Sequence, residues 1–200
     1  MTEDSVCDRY VDPTTGVLKN RLGITDRAKL EEAEAALVAI RSFELGQKPL
    51  KGNFDLAHLQ AIHRHLFHDV YEWAGELRTV DISKGSNRFA HHNYIQTAAE
   101  SLFEELAAER HLTGINDLQA FSVRGAHYLG ELNAIHPFRD GNGRTQREFI
   151  SHLAHKNGYY IAWENVKRED MLEGFITSFN RELSKLTALL RENIFPLDRG

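Results

Sequence analysis

The chain has a single cysteine, Cys7, in 200 residues. An internal disulfide is therefore impossible, and the expectation is a surface thiol in a reducing cytoplasm. Proline is almost as scarce: Pro13, Pro49, Pro137 and Pro196 are all there are, and none interrupts a long helical pattern. No run of about 18 consecutive apolar residues occurs, which argues against a transmembrane helix and a membrane partner. The N-terminal MTEDSVCDRY is acidic and polar and has no apolar stretch of the kind a secretory signal needs. Clustered Lys and Arg are absent and the formal net charge is −5, so the footprint of a direct nucleic-acid partner is missing. Internal repeats, low-complexity tracts and Gly/Ser linkers are absent too. The expectation is a single domain over residues 1–200, with 1–7 as a flexible tail.

What the chain does have is apolar residues at helical spacing. Leu30, Ala33, Leu37 and Ile40 form one stripe, with Thr25 or Asp26 as N-cap. Leu56, Leu59, Ile62 and Leu66 form a second, and Ile95, Ala98, Leu102 and Leu106 a third with Asn93 as its cap. Leu118, Phe121, Ala126, Leu129 and Leu132 make a long, strongly apolar helix. Phe149, Ile150, Leu153 and Ala154 run on to Asn157-Gly158, a C-cap pair. Met171, Leu172, Phe175 and Phe179 come next, then Leu183, Leu186, Leu190 and Ile194. All these stripes read as core, and their sum is an all-α helical bundle. One segment departs from the period. In LRTVDISKGSNRFA, residues 77–90, Val80 and Ile82 alternate with polar residues and Lys84-Gly85-Ser86-Asn87 is turn chemistry, which predicts a short β-hairpin.

Between two helical patterns lies HPFRDGNGRTQR, residues 136–147. Its residue types converge on a polyphosphate. Gly141-Asn142-Gly143 opens the helix that carries Phe149. Glycines let a backbone approach a ligand closely, and the free N–H groups and dipole of a helix start attract anions. Arg144 and Arg147 are three apart, share a face, and present guanidinium forks that suit phosphate oxygens. Asp140 beside an anion site makes sense if it holds Mg²⁺. His136, with an ordinary pKa near 6.5, can take a proton from an attacking hydroxyl. Phe138, apolar in a polar loop, points into the core as its anchor. A P-loop is excluded because no GxxxxGK[ST] occurs. A dinucleotide fold is disfavoured because Gln146 stands where the third glycine belongs and no strand precedes the turn.

At these residues the chain resembles the Fic-domain proteins, whose core motif HxFx[D/E]GNGRxxR is matched at every fixed position. Three further stretches are similar to the family: DRYVDPTTGVLKNRLGI (8–24), LFHDVYEWAGELRTVDISKGSNRFA (66–90) and AHYLGELNAIHPF leading into the motif. The resemblance implies the Fic fold, a helical bundle with a hairpin flap beside the active site. It implies His136 as general base, Phe138 as loop anchor and Asp140 as Mg²⁺ ligand. It implies Gly141, Asn142 and Gly143 as the anion nest, Arg144 on the phosphates and Arg147 on the γ-phosphate. The implied reaction transfers AMP from ATP to a Tyr, Thr or Ser hydroxyl of a target protein, releasing pyrophosphate. Family members that transfer phosphate carry Lys where this chain has Gly143, which favours AMP transfer. Another nucleotide donor, or a non-catalytic nucleotide-binding regulator, is the alternative.

The flap implied by the family covers Val80, Asp81, Ile82, Ser83, Lys84, Gly85, Asn87 and Phe89. It would dock a target segment by strand addition, with Lys84, Asn87 and Phe89 as clamps, unless Phe89 is a core residue at the hairpin's foot. Family members are commonly held off by a helix carrying [S/T]xxxE[G/N], whose glutamate meets the second motif arginine, here Arg147. Glu164, Glu173 and Glu192 are followed by Asn or Gly, but Tyr160, Glu169 and Ala188 stand four residues before them. This resembles the class inhibited by a separate small helical antitoxin, and by resemblance the targets would be DNA gyrase and topoisomerase IV. His63, His65 and His68 read as a solvated helix face, and His91 or His92 as a neighbour of the nucleotide. No metal-ligand pattern such as HExxH is present.

Overall fold

The computed structural model describes residues 8–84 and 87–197, with the side chain of Asn87 also outside the description. Cys7, the expected tail 1–7 and Gly85 of the flap therefore lie outside the described residues. Seven α-helices dominate what is described: α1 (Arg27–Gln47), α2 (Leu56–Phe67), α3 (Ile95–Ala108), α4 (Leu118–Ile135), α5 (Asn142–Lys156), α6 (Arg168–Ser178) and α7 (Ser184–Asn193). Two two-stranded antiparallel sheets accompany them: β1 (Ser83–Lys84) with β2 (Asn87–Arg88), and β3 (Tyr159–Ile161) with β4 (Ile194–Pro196). Among the described residues no helix is long and apolar enough to cross a membrane.

Aspartates start three of the helices. Asp26 accepts from the Lys29 amide at 2.9 Å, Asp55 from His58 at 2.8 Å and Asp117 from Ala120 at 2.8 Å, each satisfying a donor that the first helical turn leaves orphaned. α4 and α5 form the centre. α4 packs on α5, α7 and α3, and α5 lies between α2 and α4. Phe121, Leu129, Leu132, Phe149, Ile150 and Leu153 are all at most 1% exposed, so the two helices flanking the motif are clamped along their length. The motif loop thus hangs between two rigid elements.

Several expectations need correction. The buried stripe of α1 is Leu30, Glu34, Val38 and Leu45, while Ile40 is 57% exposed. A charged residue sits in the core-facing stripe, so counting apolar residues alone phases this helix wrongly. Leu172 is exposed. Asn93 does not cap α3; it lies in a 3₁₀ turn (His92–Tyr94), and Tyr94 precedes the helix without a side-chain cap. Ile194 belongs to β4 rather than to the last helix. That small sheet is not legible locally, because its two strands lie more than thirty residues apart and are three residues each. His63 is fully buried rather than on a solvated face.

Candidate active site

α4 ends at Ile135, and His136 closes it in the left-handed region at φ 48° and ψ 63°. Its own N–H still reaches back to the Leu132 carbonyl at 2.9 Å, so the turn is made without giving up a hydrogen bond. The imidazole Nδ1 lies 3.1 Å from the Asn133 carbonyl oxygen. A carbonyl only accepts, so Nδ1 carries the proton and Nε2 keeps its lone pair. Burial pushes the His136 pKa down to about 4; the Asn133 bond opposes this, and the charges of Arg78 and Lys84 reinforce it. At neutral pH the ring is a neutral base with one open nitrogen.

The loop that follows is fastened from inside. Asn142 Oδ1 accepts from the Phe138 amide at 2.9 Å, and Asn142 Nδ2 donates to the Phe138 carbonyl at 2.8 Å. The Asn142 side chain therefore ties the loop, leaving only its main chain for an anion nest. Phe138 is buried and lies flat on His63, centroids 3.9 Å apart and planes 18° off parallel. His63 Nδ1 accepts from the Gly75 amide at 2.8 Å, and its Nε2–H donates to the Asp140 carbonyl at 3.1 Å. Complete burial lowers its pKa to about 3, against the pull of the Asp140 bond and with help from Arg144. His63 is thus a neutral strut holding the loop from α2.

Gly141 is the N-cap of α5 at φ 77° and ψ 1°, and no side chain caps that helix. A Cβ at Gly141 would fall 2.3 Å from Phe67 Cζ, so both the backbone conformation and the space demand glycine. The uncapped first turn leaves N–H groups and the positive helix end facing the loop, which suits an anion. Apart from its own helix backbone and chain neighbours, the nearest described atom to a Cβ at Gly143 would be Arg147 Nη1 at 3.8 Å, so the surface over the first turn is open.

The two arginines differ. Arg144 is engaged: Nη1 lies 2.6 Å from Glu34 Oε1, Nη2 lies 3.6 Å from Asp140 Oδ1, and its guanidinium sits 4.7 Å over the Phe67 ring. Arg147 is partly buried, and among the described residues its side chain makes no hydrogen bond or ion pair. Burial, and then the charge of Arg144, lower its pKa from the ordinary guanidinium value, while Glu148 opposes them. A partly desolvated cation in no close ion pair suits an anion. Asp140 lies alongside, its Oδ1 accepting from the Gly141 amide.

Arg78 was not singled out in the sequence and proves central. Its side chain is 0% exposed. Nε donates to the His136 carbonyl at 2.8 Å, and Nη1 to Val80 at 2.7 Å. Nη2 donates to Ala90 at 2.5 Å and to Ile135 at 3.3 Å. One guanidinium therefore joins the end of α4 to both feet of the hairpin. Only the Arg fork can donate to so many carbonyls at once, but nothing local in LRTV marks it.

The hairpin is shorter than the expected 80–90. Ser83 pairs with Arg88 and Lys84 with Asn87. Val80 is buried and its carbonyl is taken by Arg78, so it anchors the foot of the flap. Ile82 packs partly against the core. Asp81 stands at the foot, 3.2 Å from His91 Nε2 and 3.0 Å from His92 Nδ1, which commits these three groups to one another. Ser83 and Lys84 are exposed. Phe89 does not fill the core; it is partly buried and stacks on His136, centroids 3.7 Å apart and planes 17° off parallel. The N-terminal segment reaches the same region, with Asp8 bonding Arg139 at 2.7 Å and Tyr10 accepting from the Thr79 amide at 3.2 Å.

Comparison with known proteins agrees with this geometry. The Fic/DOC family model matches residues 53–154, which include the whole motif. Protein adenylyltransferase VbhT of Bartonella schoenbuchensis is 50% identical over 94% of this chain, which spans only 39% of that relative's length. The relative from Sinorhizobium fredii named "Probable protein adenylyltransferase y4lH" is 41% identical over 96% of each chain. The N-terminal Fic domain of a VirB-translocated Bep effector protein from Bartonella quintana, solved with bound ADP, superposes with a TM-score of 0.90 at 30% identity, covering 94% of this chain and 95% of that one. The closed motif loop, the open helix start beyond it and a match over more than half of the sequence lead to one conclusion: the chain belongs to the Fic/DOC family.

Proposed function

We propose that this chain is a protein adenylyltransferase, moving AMP from ATP to a side-chain hydroxyl of another protein. One observation carries the reading: a neutral His136 with Nε2 unprotonated stands beside an uncapped helix start that also bears the unpaired cation of Arg147. The relatives named as adenylyltransferases and the ADP of the Bartonella quintana domain support it. In this reading the polyphosphate lies on the first turn of α5. Gly141, Asn142 and Gly143 supply main-chain N–H groups, and Arg144 and Arg147 supply positive charge.

The step itself balances simply. The target's hydroxyl oxygen forms a bond to the α-phosphorus while the bond from that phosphorus to the bridging oxygen breaks. Pyrophosphate leaves, and His136 Nε2 accepts the hydroxyl proton. The rest of the chain's contribution is positioning and electrostatic stabilisation. Asp140 is the residue that would hold Mg²⁺, which when bound neutralises polyphosphate charge. It fits the role, because its Oδ2 takes no hydrogen bond or ion pair among the described residues. The exposed backbone of Ser83–Lys84 is where a target strand would pair.

The partners are proposals of the same reading. A small helical antitoxin presenting the glutamate of a [S/T]xxxE[G/N] motif would supply the close ion pair that Arg147 does not make among the described residues. DNA gyrase and topoisomerase IV are the target class that the family resemblance favours. The deciding experiment uses lysate, Mg²⁺ and ATP labelled at the α- or the γ-phosphate, with His136→Ala alongside. A protein band labelled only from the α-position, and lost in the mutant, is expected. Label only from the γ-position would establish phosphate transfer and overturn the reading.

A further inference from the structure

Glu34 is the buried charge that the motif does not explain. It lies on α1, more than a hundred residues from the motif in sequence, and its side chain is 9% exposed. Its two oxygens are both used. Oε1 meets Arg144 Nη1 at 2.6 Å, and Oε2 accepts from the Tyr71 hydroxyl. Tyr71 is itself fixed, stacked on Trp73 with centroids 4.3 Å apart and planes 19° off parallel. Burial, then the Glu34 bond and charge, raise the Tyr71 pKa, so its hydroxyl stays a donor. On the other side Arg144 is held over the Phe67 ring, the same ring against which Gly141 is pressed. A lone buried carboxylate costs several times what an ordinary side-chain contact returns. Among the described residues this one is compensated by a tyrosine hydroxyl and a motif arginine.

We infer that Glu34 is a positioning residue for nucleotide binding: it turns the Arg144 guanidinium so that one edge is committed to α1 and the opposite edge faces the phosphates on the start of α5. The inference rests on the nucleotide reading above and adds a residue outside the motif to it. An arginine on a flexible stem loses side-chain freedom when it binds an anion. Glu34 and Phe67 remove that freedom beforehand, so the guanidinium meets the phosphate already aimed. Asp140 lies 3.6 Å from the other terminal nitrogen and cannot replace Glu34, because it sits on the loop that the ligand itself contacts.

The test is a double-mutant cycle on the whole chain, read by Mg·ATP titration and by thermal unfolding. Glu34→Ala is expected to weaken Mg·ATP binding about tenfold, the scale of losing one charge-assisted hydrogen bond. Glu34→Gln, which keeps an oxygen toward Arg144, is expected to restore most of that loss. In an Arg144→Ala background Glu34→Ala is expected to leave affinity unchanged, and to raise the unfolding temperature by removing an unpaired buried carboxylate. A purely structural Glu34 would lower stability and affinity alike in both backgrounds, which overturns the inference. Equal affinity of folded Glu34→Ala and wild type overturns it as well. Wild type that binds no Mg·ATP would overturn the nucleotide reading itself, and this inference with it.

Discussion

The imidazole of His136 lies face to face with the ring of Phe89, with centroids 3.7 Å apart and 17° between their planes. The flap residue thereby covers one face of the proposed base and keeps water from it. This contact belongs to the burial that drives the His136 pKa down to about 4.

A pH profile follows from that stacking. The base works only when neutral, so kcat/KM is expected to hold steady from pH 8 to about 5 and to fall as pH drops through about 4. Phe89→Ala exposes the ring, weakens the desolvation and moves the acid limb up toward the ordinary value near 6.5. Steady-state rates with labelled ATP from pH 4 to 8 would check it. A wild-type limb at 6.5 would show that Phe89 does not shield the base.

Arg78 offers a second test. Arg78→Lys retains the charge and loses the fork that holds the His136, Val80 and Ala90 carbonyls. Several buried acceptors are orphaned at about 1–3 kcal/mol each before relaxation, so a stability loss of roughly 3 kcal/mol or more is expected. Urea denaturation measures it. A loss under about 1 kcal/mol would mean that the carbonyls find other partners.

The two motif arginines are expected to separate binding from stability. Arg147 forms no ion pair among the described residues and feels only the more distant charge of Glu148, so Arg147→Ala should weaken Mg·ATP binding about tenfold while changing stability by no more than about 0.5 kcal/mol. Arg144→Ala leaves Glu34 buried without its cation and should cost about 1–3 kcal/mol, discounted because Arg144 itself is partly exposed. Denaturation curves paired with nucleotide titrations distinguish the two. Identical behaviour of both variants would refute the division of labour.

Acid stability provides the fourth. His63, His136 and His152 have folded pKa values lowered to about 3, 4 and 4, in each case chiefly by burial. Their unfolded values lie near 6.5, so between pH 6.5 and about 3 the unfolded chain binds more protons. These groups therefore contribute stability that is fully present above pH 6.5 and is lost as pH falls toward 3–4. His63→Asn removes one of them, and the decline between pH 6 and 4 should become shallower by about one proton, about 1.4 kcal/mol per pH unit. An unchanged slope would show that His63 takes up no proton difference on unfolding.

Much of this protein was legible in one dimension. Periodicity located all seven helices, because each buries an apolar face on neighbours and that face recurs at helical spacing. The dense run 136–147 marked the candidate site, since residues that are to meet one polyphosphate must stand close together and here the candidates are consecutive. The family followed from the same twelve residues. Tertiary structure alone decided what surrounds them. Glu34, His63 and Arg78 come from distant elements and carry no local signal; their roles exist only because folding brings a carboxylate to Arg144, an imidazole under Phe138 and a guanidinium among the carbonyls of two segments. A charged residue in a buried stripe looks like a solvated one until its partner arrives. The phase of α1, the depth of His63 and the placement of Phe89 on His136 were settled by packing for the same reason: burial is a property of the whole chain, while spacing is a property of a segment.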